Sequence, residues 1–327
     1  MSAGGPRVGF VMLAWNLPEL EARCVASIQT QDDPNWQLVI VDNASSPPFQ
    51  PARELVGDSR VTHIRNEDNL GYAKGMNIGL AQVRAEFLVP VNGDVALGSD
   101  FVAQLKSRWD WCKTGRIGAV APLVFRGSPD NCQGLESKGW FLRGRFSLIT
   151  DPEMPNETEV FSGSGACTAY LADCLREVCQ SNEVFDSSYF AYGEDIDLLF
   201  RIHYARWRCL YLEDLVTWHV GSAYGGEVQS ALAKPEWLQV HILSNRVRNI
   251  AKYLSWRDLI WFGPRIAVTE IGMLASSLFL GKPPLGIYRE SYRAVWRDRK
   301  QLLGRRREVL SRRGMSTREL IRLTRGI

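Results

Sequence analysis

The chain has 327 residues, of which 45% are hydrophobic and 23% charged, a balance ordinary for a soluble globular protein with a sizeable core and foreign to a disordered one. Its net charge of +3 hides an asymmetry: from Lys282 onward there are 14 Lys/Arg against 4 Asp/Glu, net +10, which leaves −7 for the first 281 residues. A tail this basic seeks phosphates, anionic lipid or nucleic acid. The seven cysteines are odd in number and form no C-x-x-C, which argues against a disulfide framework and for reduced thiols in the cytoplasm. Met1 to Pro6 shows no secretory signal pattern.

Val8 to Ala14 is an apolar run that predicts the first strand. Asn16 followed by Pro18 predicts a helix start, with Leu20, Cys24 and Ile28 on its inward face. Gln37 to Val41 reads as the second strand, ending at Asp42 and Asn43, and prolines 47, 48 and 51 mark a loop before a short helix near Ala52 to Val56. Val61 to Arg65 is the third strand, and Asn69 to Asn77 opens a helix reaching about Val83. Phe87 to Val91 has the look of a strand buried on both faces and stops at Asn92-Gly93-Asp94. A helix from Asp100 to Cys112 and a strand from Ile117 to Ala121 complete an alternating series. Such alternation predicts an α/β fold with a parallel sheet and helices on both faces.

Ligands of open α/β sheets bind in the crevice at the carboxyl ends of the strands. Asp42 and Asp94 both stand at such ends. Gly93 permits a sharp turn, and the Asp94 carboxylate can hold a divalent cation that in turn holds a diphosphate; the tripeptide alone also reads as an ordinary turn. There is no G-x-G-x-x-G after the first strand and no Walker-type G-K-[ST], so dinucleotide and P-loop sites are unsupported.

Residues 123 to 160 read as loops with a β-ribbon from Gly139 to Ile149. Phe161 to Thr168 is a small-residue stretch through which backbone can approach a ligand closely, and a helix from Leu171 to Cys179 follows. Gly193 precedes a helix whose first turns carry Glu194, Asp195 and Asp197. These acids either answer the helix dipole or include a general base. His219 is a structural histidine or, beside Asp94, part of a mixed oxygen and imidazole site that suits Mn²⁺ better than Ca²⁺.

After Gly226 the texture changes. Pro235 opens a helix with Val240, Leu243, Val247, Ile250 and Leu254 in one stripe. Leu259 to Leu280 is apolar but interrupted by Gly263-Pro264-Arg265 and Glu270, too polar to span a bilayer and better suited to an interfacial helix or one packed on a partner. Residues 289 to 325 are Arg-rich with interspersed apolar positions such as Trp296, Leu302 and Leu310, a solvated face or an anionic membrane contact.

Taken together, these residues resemble the family 2 glycosyltransferases, in the bacterial rhamnosyltransferase-like branch with a GT-A fold. The matching pieces run in the family's order: the opening strand and Trp15-Asn16, Val41 to Ser46, Asn69-x-Gly-Tyr-Ala-x-Gly-x-Asn77, Asn92-Gly93-Asp94, Ser162 to Thr168, Phe185-Asp186 through Glu194-Asp195 to Arg201, and His219-x-Gly-Ser222. They cover about residues 8 to 222.

The resemblance implies a nucleotide-sugar-binding, Rossmann-like, mostly parallel sheet over residues 1–226 and an amphipathic, Arg-rich helical extension over 227–327. It implies inverting transfer of a sugar from dTDP-rhamnose or a UDP-sugar to a hydroxyl of a glycan or lipid-linked acceptor in surface polysaccharide synthesis. Asp42 would meet the nucleobase or ribose, and Gly71 to Asn77 would shape the nucleoside pocket with Lys74 and Asn77 as polar contacts. Asn16, Asn43, Asn92, Gly165 and Ala166 would join in holding the nucleotide sugar, with Cys167 and Thr168 lining the sugar or acceptor. Asp94 and His219 would ligate Mn²⁺ or Mg²⁺, Asp195 would be the general base, and Glu194 would orient the base or acceptor. The implied setting is cytoplasmic, peripheral to the inner face of the cell membrane through the C-terminal region, with homo-oligomerisation left open and nucleic acid not expected.

Two positions depart from the family pattern. Gly93 replaces the usual proline while Asn92 is neutral, and Arg206 replaces a glycine beside Trp207. The neutral Asn92 keeps a second expectation open, a catalytically inactive nucleotide-sugar-binding scaffold of a membrane-associated polysaccharide assembly.

Overall fold

The computed structural model describes residues 7–180, 182–221 and 234–325. Ser222, which closes the histidine motif, and the expected domain boundary at 226/227 lie outside the described residues.

Four strands form the parallel half of the sheet: β1 (Val8–Ala14), β2 (Trp36–Asp42), β3 (Val61–Arg65) and β4 (Phe87–Asn92). Their order is β3-β2-β1-β4. Phe10, Val39, Ile40 and Val89 are wholly buried, which explains the unbroken apolar runs of central parallel strands. Helices α1 (Pro18–Gln29) and α2 (Tyr72–Leu80) are crossovers, α1 opening with a proline whose missing N–H costs nothing in a first turn. The segment near Ala52 to Val56 is a single 3₁₀ turn over Arg53–Leu55. After β4 comes a short β5 (Val95–Leu97), then α3 (Phe101–Ser107) and α4 (Trp109–Thr114), two helices in place of the single one expected. They divide at Arg108, whose guanidinium reaches Asp214 at 2.6 Å and Glu157 at 3.1 Å.

The second half is more ordered than its composition suggests. β6 (Ile117–Ser128) runs well past Ala121 and turns back as β7 (Asn131–Ser137). The expected ribbon is present as β8 (Phe141–Leu142) paired with β9 (Leu148–Ile149). β10 (Glu159–Val160), β11 (Ala169–Leu171) and β12 (Arg208–His219) extend the sheet in the order β4-β11-β6-β12-β10. β11 is antiparallel to both neighbours, whereas β12 runs parallel to β6. Helices α5 (Ala172–Val178) and α6 (Glu194–Tyr204) complete this half.

The C-terminal region is helical: α7 (Glu236–Tyr253), α8 (Trp256–Leu280), α9 (Leu285–Arg297), α10 (Arg299–Ser311) and α11 (Thr317–Arg322). It shares a second apolar core with the sheet region, in which Phe146, Phe161 and Phe200 meet Tyr253, Leu254 and Phe262. The Phe200 and Tyr253 rings stack at 4.5 Å. Beneath them the buried Asp197 is paired with Arg201 and Lys252 and accepts from the Tyr253 hydroxyl at 2.7 Å. Lys252 also reaches Asp186 at 3.0 Å. These partners outweigh burial and hold the Asp197 carboxyl below its usual range, so Asp197 is a structural acid.

Helix α8 passes through Pro264 without a break. A proline there removes one backbone bond and costs about 3 kcal/mol, while Gly263 before it offers no Cβ to clash with the ring. A capping box of Ser255 and Asp258 fixes the start of α8. Part of the basic tail turns inward, since Arg305 pairs with Asp186 and Arg313 with Asp258. Among the described residues no helix is long and apolar enough to cross a membrane.

Candidate functional site

The ends of β1 and β2 form one node. Asp42 is wholly buried. Its carboxylate accepts from the Ser45 and Phe49 N–H groups at 2.8 and 3.1 Å and pairs with Arg65. Burial pushes this carboxyl up, but the Ser45, Phe49 and Arg65 donors outweigh it and leave it below the usual carboxylate value. Asn43 accepts from Asn66 Nδ2 and Leu70 N–H at 3.0 and 3.1 Å and donates to Asn69 at 2.8 Å, so it fixes the loop leading into α2. Asn16, at φ 58, accepts from Ser46 N–H at 2.7 Å. Asn77 uses both ends of its amide on the Phe185 backbone, at 2.7 and 2.9 Å, which ties α2 to the loop before α6. Lys74 is exposed on α2.

The second node lies at the end of β4. Glu21, which the sequence reading passed over, is buried and accepts from Trp15 N–H at 2.6 Å and Leu17 N–H at 3.2 Å. A Cβ on residue 93 would meet Glu21 Cγ at 2.7 Å, which gives the glycine at this position a packing reason. Beyond the turn, the His219 Nε2 lies 3.5 Å from Asp94 Oδ1. Its Nδ1 faces the two oxygens of Glu136 at 3.0 and 3.1 Å. Burial lowers the His219 pKa, but the Asp94 and Glu136 carboxylates outweigh it and push it up to about 10. Glu136 also escaped the sequence reading, because it stands on β7, far from His219 in the chain and on an exposed polar strand with no apolar run to signal it.

Asp94 and His219 are the residues that could hold a divalent cation. Their facing oxygen and nitrogen are a hard-and-imidazole pair suited to Mn²⁺, and a carboxylate on the far ring nitrogen is the usual orienting partner of a ligating histidine. Among the described residues no group of three or more His, Cys, Asp or Glu is arranged to hold an ion. The pair is therefore an incomplete set, fitting a cation whose remaining positions come from water or phosphate oxygens.

The third node is the start of α6. Gly193 precedes it with φ 87, a left-handed conformation that favours glycine. Glu194 is buried, and its Oε2 has no hydrogen-bond partner. Burial and then the neighbouring Asp195 push the Glu194 carboxyl up to about 8. Burial also raises Asp195, against donors that include the Ile196 N–H at 2.8 Å. Two carboxyls so close share one charge near neutrality. Both carboxyls are raised, so the pair can hold a proton and accept one near neutrality.

The small-residue loop joins the second and third nodes. The Ala166 carbonyl accepts from Asn92 N–H at 2.9 Å. On the other side, a Cβ on Gly165 would stand 2.8 Å from Asp195 Oδ2, so the backbone there lies directly against the acid. The Tyr72 hydroxyl donates to the Gly165 carbonyl at 3.2 Å. Cys167 is buried and pushed up to about 12, an inert thiol, while Thr168 turns its hydroxyl to the Ser164 carbonyl.

The sequence profile of glycosyl transferase family 2 matches residues 10–178, more than half of the chain. The chain is 29% identical over 91 residues to a putative colanic acid biosynthesis glycosyl transferase, WcaA, of Escherichia coli strain K12, covering 27% of this chain and 33% of that protein. It is 24% identical over 246 residues to an N-acetylglucosaminyl-diphospho-decaprenol L-rhamnosyltransferase of Mycobacterium tuberculosis, covering 66% of this chain and 76% of that one. Among solved structures it is similar to GalNAc-T7 with UDP, GalNAc and Mn²⁺, at a TM-score of 0.57 and 13% identity over 77% of this chain and 48% of the other. It is also similar to a mannosyltransferase of Pyrobaculum calidifontis in complex with GDP-Man and Mn²⁺, at a TM-score of 0.54 and 14% identity over 95% of this chain and 86% of the other. These likenesses carry the fold, which is GT-A. The chain belongs to glycosyl transferase family 2.

Proposed function

We propose that the protein is an inverting glycosyltransferase moving a sugar from a nucleotide-sugar donor, dTDP-rhamnose or a UDP-sugar, to a hydroxyl of a glycan or lipid-linked acceptor in surface polysaccharide synthesis. The observation that carries this reading is the single loop that touches both chemical nodes. Its Ala166 carbonyl holds the strand end that leads to Asp94, and Gly165 lies against Asp195. A donor diphosphate near Asp94 and an acceptor hydroxyl near Asp195 would then flank one anomeric carbon.

In the proposed step the acceptor oxygen attacks the anomeric carbon while its proton passes to Asp195. The bond from that carbon to the diphosphate breaks on the opposite face, and its electron pair leaves with the nucleoside diphosphate. Glu194, kept protonated by burial and by its neighbour, orients the acceptor without competing for the proton. A divalent cation held by Asp94 and His219 would supply charge against the departing diphosphate. Asp42 and Asn43 support the nucleoside side by fixing the loops around it, Asp42 through Ser45 and Arg65 and Asn43 through Asn69. The exposed apolar side chains of α8, including Ile260, Val268 and Ile271, support a peripheral position at an anionic membrane surface and a lipid-linked acceptor.

The test is nucleoside diphosphate release across a panel of nucleotide sugars with Mn²⁺, Mg²⁺ or EDTA. Slow, cation-dependent release from one donor is the expected result and names the sugar. Silence across the panel, with no thermal shift by any donor, would transfer the assignment to a non-catalytic scaffold.

A further inference from the structure

Away from the strand ends, a cleft of about 670 Å³ opens between the β8–β9 turn and helix α8. Three arginines line it, Arg143, Arg145 and Arg265, together with Pro264, Val268 and Thr269. None of the three is paired with a carboxylate among the described residues, and the buried Nε of Arg143 has no hydrogen-bond partner. The nearest acid on α8, Glu270, is engaged by Arg246 and by the Tyr292 hydroxyl. Arg265 lies over the Trp261 ring at 4.3 Å and donates to the Trp261 carbonyl at 2.7 Å. A Cβ on Gly144 would stand 2.5 Å from Arg265 Cδ, so the hairpin backbone packs directly on the Arg265 side chain, and all three arginines line the one cleft. Unpaired arginines around a roomy cleft are a receptor for phosphate oxygens, which accept their forked donors bidentately.

Two further observations identify the phosphate. Ile260, Val268, Ile271 and Leu278 are 59 to 72% exposed and recur at helical spacing, so an apolar stripe runs along α8 through the wall of the cleft. One helix, α7, touches both the hairpin of the cleft and the loop that precedes the acid pair. Asn245 of α7 holds the Ala191 and Tyr192 carbonyls, while its neighbour Arg246 holds the carbonyls of Arg145 and Phe146. Ile196, in the first turn of α6, packs on the cluster containing Phe146.

We propose that this cleft grips the diphosphate of a lipid-linked acceptor through Arg143, Arg145 and Arg265, with the lipid chain along the apolar face of α8 and the attached sugar reaching toward Asp195. The inference rests on the transferase reading and assigns the acceptor side of that site a class of ligand, a lipid diphosphate.

The probe is farnesyl diphosphate, titrated calorimetrically into the full chain in EDTA, which removes any cation-held diphosphate at Asp94. Farnesol and inorganic diphosphate isolate the two halves of the ligand, and phosphatidylcholine vesicles containing phosphatidylglycerol represent a bulk lipid headgroup. The expected result is that farnesyl diphosphate binds at least about tenfold more tightly than either half. Arg145→Ala and Arg265→Ala should each weaken it about tenfold, and the uncharged Val268→Asn should weaken it while leaving inorganic diphosphate binding in place. Arg145 and Val268 are exposed, so their replacement does not threaten folding, and thermal unfolding checks this. Binding that ignores the arginine replacements, farnesol binding as tightly as farnesyl diphosphate, or arginine-dependent vesicle binding without farnesyl diphosphate binding would each overturn the proposal. Donor hydrolysis by the unmodified chain without acceptor reports on the transferase reading by itself, so the two can fail separately.

Discussion

Asn249, in the C-terminal part of α7, donates from Nδ2 to the Gly193 carbonyl at 2.9 Å and accepts from the Tyr189 hydroxyl at 2.7 Å. One turn earlier, Asn245 donates to the Ala191 and Tyr192 carbonyls at 3.0 and 2.7 Å. The loop so held contains consecutive positive φ angles, 66 at Tyr192 and 87 at Gly193, a conformation that persists only with outside support. The C-terminal helices therefore frame the acid pair as well as extending the molecule.

Asn249→Ala should test that framing. It leaves the Gly193 carbonyl and the Tyr189 hydroxyl without these partners in a buried setting, a loss of about 1–3 kcal/mol. The expected outcome is a lower melting temperature together with a fall in kcat that exceeds any change in donor KM. A variant that is less stable yet turns over normally would confine α7 to a structural role.

Asp195→Asn removes the proposed proton acceptor with little change in shape. Donor binding should persist while sugar transfer falls by about 10²-fold or more. Isothermal titration with the donor and a transfer assay separate the two effects, and undiminished transfer would remove Asp195 from the mechanism.

Asp94→Ala should abolish the cation-dependent part of donor affinity, and EDTA should bring the unmodified chain to the same level. Glu136→Gln should act in the same direction but less, since Glu136 orients His219 through Nδ1 at 3.0 Å. Calorimetry with and without Mn²⁺ reads both. Equal donor affinity for the unmodified chain and Asp94→Ala would exclude this end of β4 as the cation site.

The parallel half of the sheet was legible because central strands are unbroken apolar runs: Val61–Arg65 was placed to the residue, and Val8–Ala14 likewise. The acids at strand ends were legible for the same reason, since an apolar run that stops abruptly marks the polar residue at its end. The Asn131–Ser137 strand was not, because it is largely exposed and carries no alternation strong enough to register. β12 hides its period behind Glu213 and Asp214, where the pairing register shifts between Leu212 and Val216. Pro264 argued for a break in a helix that tolerates it. At the candidate site, motif order brought out Asp94, His219, Glu194 and Asp195. Glu21, Glu136 and Asn249 stayed hidden, because each acts through a residue distant in the chain and has no local pattern. Asn77 and Asp42 were legible as polar positions, but only the structure reveals how fully their side chains are engaged with backbone and with Arg65.

The raised Glu194 carboxyl has a consequence for stability that carries a definite sign. Its ordinary value is 4.5, and burial followed by the Asp195 charge moves it to about 8 in the folded chain. The folded state thus binds this proton more tightly than the unfolded state does. Its contribution to stability is fully present below 4.5 and is lost as the pH rises through about 8. Glu194→Gln keeps the shape and titrates nothing. The variant and the unmodified chain should therefore unfold at similar temperatures in acid, and the variant should gain an advantage that widens from about pH 4.5 and levels off above about pH 8. Scanning melting temperature at intervals across that range reads the widening directly. A constant gap would mean that Glu194 does not carry the proton, and the base assignment would then have to be exchanged between Glu194 and Asp195.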